Sequence, residues 1–289
     1  MTTSAPRTVA ALRDHGIRVL SGAGVPTPEV DAELLIGHVL GLSRGQVQAK
    51  ALTDSGVGTD DVLAVIEVVE RRAAREPLQH ITGRAPFRSL ELAVGPGVFV
   101  PRPETEFVTQ LAIDALLEVP GGSPRAIDLG TGSGAIALAL ATEVPQAEVV
   151  AVENSPRAFI WARQNVREVG APNLRLVFAD LGDADALPEL DGTFDLVVSN
   201  PPYVASTELD ALEPELRIEP REALIGEGGH EAVARAALET LVPDGALVLE
   251  VGDGQAGDVA ARLRELGFQE VRVSEDLAGR ERVVEGRGP

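Results

Sequence analysis

Asn200-Pro201-Pro202-Tyr203 is the stretch of this chain whose residue types suit the handling of a planar -NH2 group. Proline has no N–H to donate, so two in succession stiffen a loop whose carbonyls stay free as acceptors. The Asn200 side-chain oxygen and the Pro201 carbonyl can each accept one N–H and so aim the nitrogen lone pair along a fixed line. An amide nitrogen is a poor nucleophile because its lone pair is delocalised. Fixed acceptors stabilise the positive charge that develops on it during group transfer and hold the in-line geometry. Tyr203 is the only tyrosine in the chain, and its ring can pack against the planar group. The plainer reading, a Pro-Pro turn closing a strand, leaves the position of that tyrosine unexplained.

A second constellation is Asp128-Leu129-Gly130-Thr131-Gly132-Ser133-Gly134, a strand end running through a glycine-rich turn into a helix start. Glycines let a backbone approach a ligand closely and adopt dihedrals that other residues avoid. Nucleotide, flavin and nicotinamide binders share such turns, so the turn alone does not choose a ligand. Two carboxylates move the reading toward S-adenosyl-L-methionine, with S-adenosyl-L-homocysteine as its product. Asp128 stands just before the glycines, where it can meet a cationic amino-acid end. Glu153 ends the next strand, about twenty residues past the last glycine, a position from which a carboxylate accepts both ribose hydroxyls. Asp180, after the third strand, can accept from an adenine amino group; its alternative is an ordinary strand-end charge.

These residues need a scaffold, and residues from Pro101 onward alternate strand and helix. Arg125–Leu129, Glu148–Glu153, Leu174–Ala179, Phe194–Ser199, Ala246–Val251 and Phe268–Ser274 read as strands separated mostly by helices. That order implies a largely parallel sheet covered on both faces, with ligands at the carboxyl edge of the strands. Residues 1–80 read as an all-helical domain with no catalytic cluster. Within it Thr27 caps a helix with Pro28 at its first position, and Thr59-Asp60-Asp61 opens another, from Val62 to Arg75, with Val65, Ile66 and Val69 on one face. Residues 81–100, punctuated by Gly83, Pro86, Gly95, Pro96 and Gly97, read as a hairpin linker to a domain over 101–289.

Composition narrows the partners. The chain has 289 residues, 44% hydrophobic and 3% aromatic, so aliphatic side chains must build its cores. A formal charge of -20 repels phosphate backbones, which speaks against direct nucleic-acid binding. Arg71, Arg72, Arg75, Arg84 and Arg88 could still form a local basic patch. There is no cysteine, and the four histidines do not fall at ligand spacing, so no metal site is expected. No apolar run reaches membrane length, and the reading is a cytoplasmic protein acting as a monomer.

Together the glycine turn, Glu153 and Asn200-Pro201-Pro202-Tyr203 resemble class I methyltransferases acting on exocyclic or amide nitrogens. Adenine-N6 DNA, guanine-N2 ribosomal RNA and protein glutamine-N5 methyltransferases share that set. The flanking residues are similar to the PrmC/HemK-type release factor glutamine methyltransferase family. They are Arg75-Glu76-Pro77-Leu78-Gln79-His80-Ile81-Thr82-Gly83, then Val98-Phe99-Val100-Pro101-Arg102-Pro103-Glu104-Thr105-Glu106, Glu219-Pro220, Leu249-Glu250-Val251-Gly252 and Asp276-Leu277-Ala278-Gly279-Arg280. A sister family that modifies a ribosomal protein carries Pro-Arg-Ser-Pro where this chain has Pro101-Arg102-Pro103. The resemblance spans roughly residues 10–286. It implies a Rossmann-like methyltransferase domain with a mostly parallel seven-stranded sheet, preceded by the helical domain. It also implies methyl transfer to the glutamine of the Gly-Gly-Gln loop of class 1 peptide chain release factors. Asn200, Pro201, Pro202 and Tyr203 would be catalytic and, with Phe99, would line the glutamine pocket. Leu181, beside Asp180, and Asn200 would join the cofactor-binding residues. The chain departs from the family at Glu153, often Asp there, at Leu181, often aromatic, and at Gly226-Glu227-Gly228-Gly229-His230, usually Gly-Gly-x-Asp-Gly. Other readings are an amino-group nucleic-acid methyltransferase, which would usually bring a basic domain, and a cofactor-binding scaffold without catalysis.

Overall fold

A computed structural model of the chain describes residues 7–180 and 193–289. Two compact units divide it: residues 1–83 with 213–218, and residues 84–212 with 219–289. The first is helical: α1 (Val9–Gly22), α2 (Pro28–Leu40), α3 (Arg44–Leu52), α4 (Thr59–Ala73) and α5 (Leu78–Thr82). Leu12, Leu20, Leu35, Ile36, Val47, Val65 and Val69 are fully buried in its core, while Ile66 packs against that core only in part. Pro28 starts α2 as its sequence suggests, but the Thr27 hydroxyl donates to Asp31 Oδ1 at 2.9 Å and does not cap the backbone. Of the arginines that could form a basic patch, Arg71 pairs with Glu76, Arg72 with Asp31, and Arg75 with Glu215. In the second unit Arg84 pairs with Glu168 and Arg88 with Glu143.

The second unit opens with an antiparallel hairpin, β1 (Arg84–Phe87) and β2 (Leu90–Ala93). Then follow α6 (Pro103–Leu117), β3 (Arg125–Leu129), α7 (Ala135–Glu143), β4 (Glu148–Glu153), α8 (Pro156–Val169), β5 (Leu174–Phe178) and β6 (Phe194–Ser199). After a loop come α9 (Arg221–Leu224), α10 (Gly229–Thr240), β7 (Leu241–Glu250), α11 (Ala256–Glu265), β8 (Gln269–Glu275) and β9 (Glu281–Arg287). The sheet has the order β5-β4-β3-β6-β7-β9-β8, and only β9 runs against its neighbours. This is the α/β, largely parallel architecture expected from the residues, with the seven strands that the family resemblance implies and one more than the six read from the sequence.

Alternation along β3 supplies both faces: Ala126 enters one core, Ile127 and Leu129 the other. With few aromatics available, α7 is buried along most of its length as Ala135-Ile136-Ala137-Leu138-Ala139-Leu140-Ala141. Small residues let such a helix lie close to the sheet. The single Trp161 has a comparable constraint, because its ring lies where a Cβ on Gly95 would come within 2.5 Å, and its N–H donates to Pro96 O at 3.3 Å. Among the described residues no helix is long and apolar enough to cross a membrane, and no group of three or more His, Cys, Asp or Glu is placed to hold a metal ion.

Candidate active site

The chain builds β3, β4 and β5 outward in one direction, then returns to lay β6 on the other side of β3. Ligands in open α/β sheets bind beyond the carboxyl ends of strands at such a reversal. The ends of β3 and β6 carry the glycine turn and Asn200, and the Ser199 hydroxyl ties them together by donating to Leu129 O at 2.5 Å. The two sequence constellations therefore meet at one place in the sheet.

Gly130, Gly132 and Gly134 have φ of 77°, 59° and 86°, the left-handed region that favours glycine. A Cβ on Gly130 or Gly132 would meet nothing within 4 Å, so the backbone there is open to close approach. Glu153 holds the turn from the neighbouring strand: its Oε2 accepts from Gly132 N and its Oε1 from Ser155 N, both at 2.7 Å. Burial raises the Glu153 pKa, against those backbone N–H groups that lower it. A carboxylate has about four acceptor positions, so it can serve the backbone and still accept ligand hydroxyls. Asn165 on α8 braces the turn from the far side, donating to Ser133 O at 2.8 Å and to Ala93 O at 2.9 Å.

Asp128 is fully buried. Its Oδ2 accepts from the Thr131 hydroxyl at 2.6 Å and Ala137 N at 3.2 Å, so one oxygen fastens the turn to the start of α7. Its Oδ1 has no hydrogen-bond partner among the described residues. Burial drives the pKa to about 7. An unpartnered buried carboxylate oxygen beside open glycine backbone fits a ligand with a cationic end, because unsatisfied buried polar groups are otherwise costly. Asp180 is exposed and accepts from Asn154 Nδ2 at 3.1 Å. Leu181 lies outside the described residues.

Beyond β6, the loop carrying Asn200 is held from several directions. The Asn200 Nδ2 lies 3.4 Å from the Thr105 hydroxyl, which in turn donates to Glu250 Oε2 at 2.6 Å. Pro202 O packs so closely on a glycine loop that a Cβ would approach it to 2.3 Å at Gly226 and 2.5 Å at Gly229. The Tyr203 ring stacks on His230 with centroids 6.0 Å apart, and Gln255 Nε2 donates to Tyr203 O at 2.9 Å. The Tyr203 hydroxyl lies 3.5 Å from Glu250 Oε1, and burial raises its pKa above the usual tyrosine value. The departure at 226–230 thus keeps a packing role: its glycines admit the Pro202 carbonyl and His230 backs the tyrosine ring.

Phe99 is half-buried, with the Arg102 guanidinium 4.9 Å from its ring centroid. Glu219, itself buried, accepts from Val100 N at 3.0 Å and from the Arg102 side chain. The loop after Tyr203 therefore returns to pin the segment bearing Phe99. Asn165 carries no signal in the sequence, and Thr105, Glu219 and His230 stand only within the stretches compared with the family, their roles unread because each acts on a residue far along the chain.

Comparison with known proteins adds ancestry to this geometry. Residues 11–83 match the PrmC N-terminal domain family, and residues 89–251, more than half of the chain, match the methyltransferase small domain family. A release factor glutamine methyltransferase of Streptomyces coelicolor is 47% identical over 275 residues, covering 93% of this chain and 94% of that one. Enzymes of the same name from Bifidobacterium longum and Deinococcus radiodurans are 42% and 43% identical, covering 92% and 93% of this chain and 94% of each relative. Among solved structures, the hMettl16 catalytic domain superposes with a TM-score of 0.53 at 16% identity, over 68% of this chain and 75% of that one, which speaks to the fold alone.

Proposed function

Because the chain belongs to the release factor glutamine methyltransferase family and is a methyltransferase, we propose that it methylates the side-chain amide nitrogen (N5) of the glutamine in the Gly-Gly-Gln loop of bacterial class 1 peptide chain release factors. S-Adenosyl-L-methionine is the donor in this reading. The observation that carries it is Asn200-Pro201-Pro202-Tyr203 at the end of β6, next to the glycine turn that ends β3.

When bound, S-adenosyl-L-methionine supplies an electrophilic methyl group on a sulfonium. Asp128 Oδ1 receives its ammonium end, the Gly130–Gly134 backbone lets it approach, and Glu153 keeps lone pairs for the ribose hydroxyls. Asp180 and Leu181 serve the adenine. Asn200 Oδ1 and the Pro201 carbonyl each accept one N–H of the glutamine amide, which stabilises charge growing on nitrogen. Tyr203 and Phe99 hold the amide plane from its sides. The helical residues 1–80 dock the release factor, residues 81–100 link, and residues 101–289 catalyse. The protein works as a cytoplasmic monomer without direct contact to nucleic acid.

Incubating the enzyme with S-adenosyl-L-methionine and a purified class 1 release factor, then mapping peptides by mass spectrometry, tests this. One methyl group on the Gly-Gly-Gln glutamine is expected. An unmodified glutamine, or methylation of RNA in its place, would refute the proposal.

A further inference from the structure

Thr105 stands in the first turn of α6, 95 residues from Asn200 and 145 from Glu250 along the chain. Its hydroxyl bridges the two, at 3.4 Å from Asn200 Nδ2 and 2.6 Å from Glu250 Oε2. The direction of that chain follows from proton counting. A threonine hydroxyl has one proton to give, and an ionised carboxylate can only accept. Glu250 takes the proton, so toward Asn200 the Thr105 oxygen can only accept. Of the two ends of the asparagine amide, only the -NH2 can then face Thr105, and Oδ1 must point the other way.

We propose that Thr105 and Glu250 are positioning residues that decide which end of the Asn200 amide meets the substrate. This rests on the functional reading above, in which Asn200 Oδ1 accepts from the glutamine amide. Reversed, Asn200 would present a donor to a donor and could not hold the nucleophile. Glu250 faces the hydroxyls of Thr105 and Tyr203, the positive charge of Arg282 from β9 and the negative charge of Glu104 from α6. The His230 ring on α10 bonds the Glu250 backbone oxygen at 2.8 Å, and burial lowers the pKa of that imidazole against this bond, which raises it. Burial of Glu250 raises its own pKa to about 7. Once protonated, Glu250 can donate to Thr105, which frees the threonine proton to turn toward Asn200 and reverse the amide. Methyl transfer therefore rises with pH as Glu250 ionises.

The test compares Thr105→Val, which keeps volume and loses the hydroxyl, with Thr105→Ser, which keeps the hydroxyl and loses the methyl. Single-turnover transfer to the release factor is measured from pH 6 to 8 with saturating cofactor, and calorimetric binding of S-adenosyl-L-homocysteine verifies that each variant is folded. Loss of one net hydrogen bond predicts a roughly tenfold slower Thr105→Val, with Thr105→Ser within about twofold of the parent. The pH limb should persist in Thr105→Ser and vanish in Thr105→Val. A packing role would reverse that order. Parent-like transfer by Thr105→Val, or equal slowing of both variants, overturns the inference. A parent enzyme that leaves the release factor glutamine unmodified overturns the functional reading itself.

Discussion

Asp128→Asn separates holding the glycine turn from the role proposed for Asp128 in holding the cofactor. Asparagine can put its oxygen where Oδ2 now accepts from Thr131 and Ala137, leaving an -NH2 at the position of the unpartnered Oδ1. The turn keeps its bonds and the site loses its negative charge. Burial, the largest cause, lifts the aspartate from its ordinary 3.8 to about 7, outweighing the Thr131 and Ala137 hydrogen bonds. Because the folded value lies above the unfolded one, the folded protein holds more protons between them. Stability without cofactor therefore falls as pH rises from about 4 to about 7 and is level above that. The difference corresponds to about 4 kcal/mol at pH 8, which the neutral asparagine removes. Burying an unpaired amide N–H costs about 1–3 kcal/mol in return. The net expectation is a variant more stable by roughly 1–3 kcal/mol at pH 8, with the advantage gone at pH 5. Cofactor binding should move the opposite way, since the ammonium loses a charged partner and meets a donor: about 1.5–3 kcal/mol, or tenfold to some 150-fold. The parent should also bind more weakly below pH 7, as Asp128 protonates, whereas the variant should not. Thermal unfolding at the two pH values and calorimetric titration with S-adenosyl-L-methionine measure both halves. Unchanged affinity and pH dependence in Asp128→Asn would reduce Asp128 to a brace for the turn and refute the reasoning.

If Asn200 Oδ1 accepts from the glutamine amide as proposed, Asn200→Ala should slow single-turnover methyl transfer by about 10²–10³ with little change in cofactor affinity; near-normal turnover would leave the loop a structural turn. The Tyr203 hydroxyl is 3.5 Å from Glu250, so Tyr203→Phe should be mild and Tyr203→Ala severe, as kinetics on the two variants will tell. Gly226→Ala would set a Cβ 2.3 Å from Pro202 O, which forces the loop to move; activity should fall while calorimetric cofactor binding persists.

Beyond the hairpin, the six strands legible in the sequence are apolar runs that end at glycine, at a carboxylate or, for Phe194–Ser199, at Asn200-Pro201. β9 was not among the six, because its only apolar residues are Val283 and Val284, adjacent amid charges. Pairing with β7 and β8 turns one valine into each of the two cores, and both are fully buried. The helix α3 hid for a related reason: only Val47 is buried, and its signal was the capping box of Ser43 and Gln46.

The same distinction runs through the site. Asn200-Pro201-Pro202-Tyr203 and Gly130–Gly134 were legible because each is a contiguous segment whose residue types already limit its backbone and its hydrogen bonding. How Asp128 divides its two oxygens, one to the turn and one unpartnered, was not, since it depends on where α7 begins relative to β3. Nor was the chain from Glu250 through Thr105 to Asn200, whose members come from β7, α6 and the end of β6. Sequence fixes what each side chain can donate or accept. Only folding decides which groups lie within about 3 Å of one another, and hydrogen bonds weaken too steeply with distance and angle for chain order to stand in for that placement.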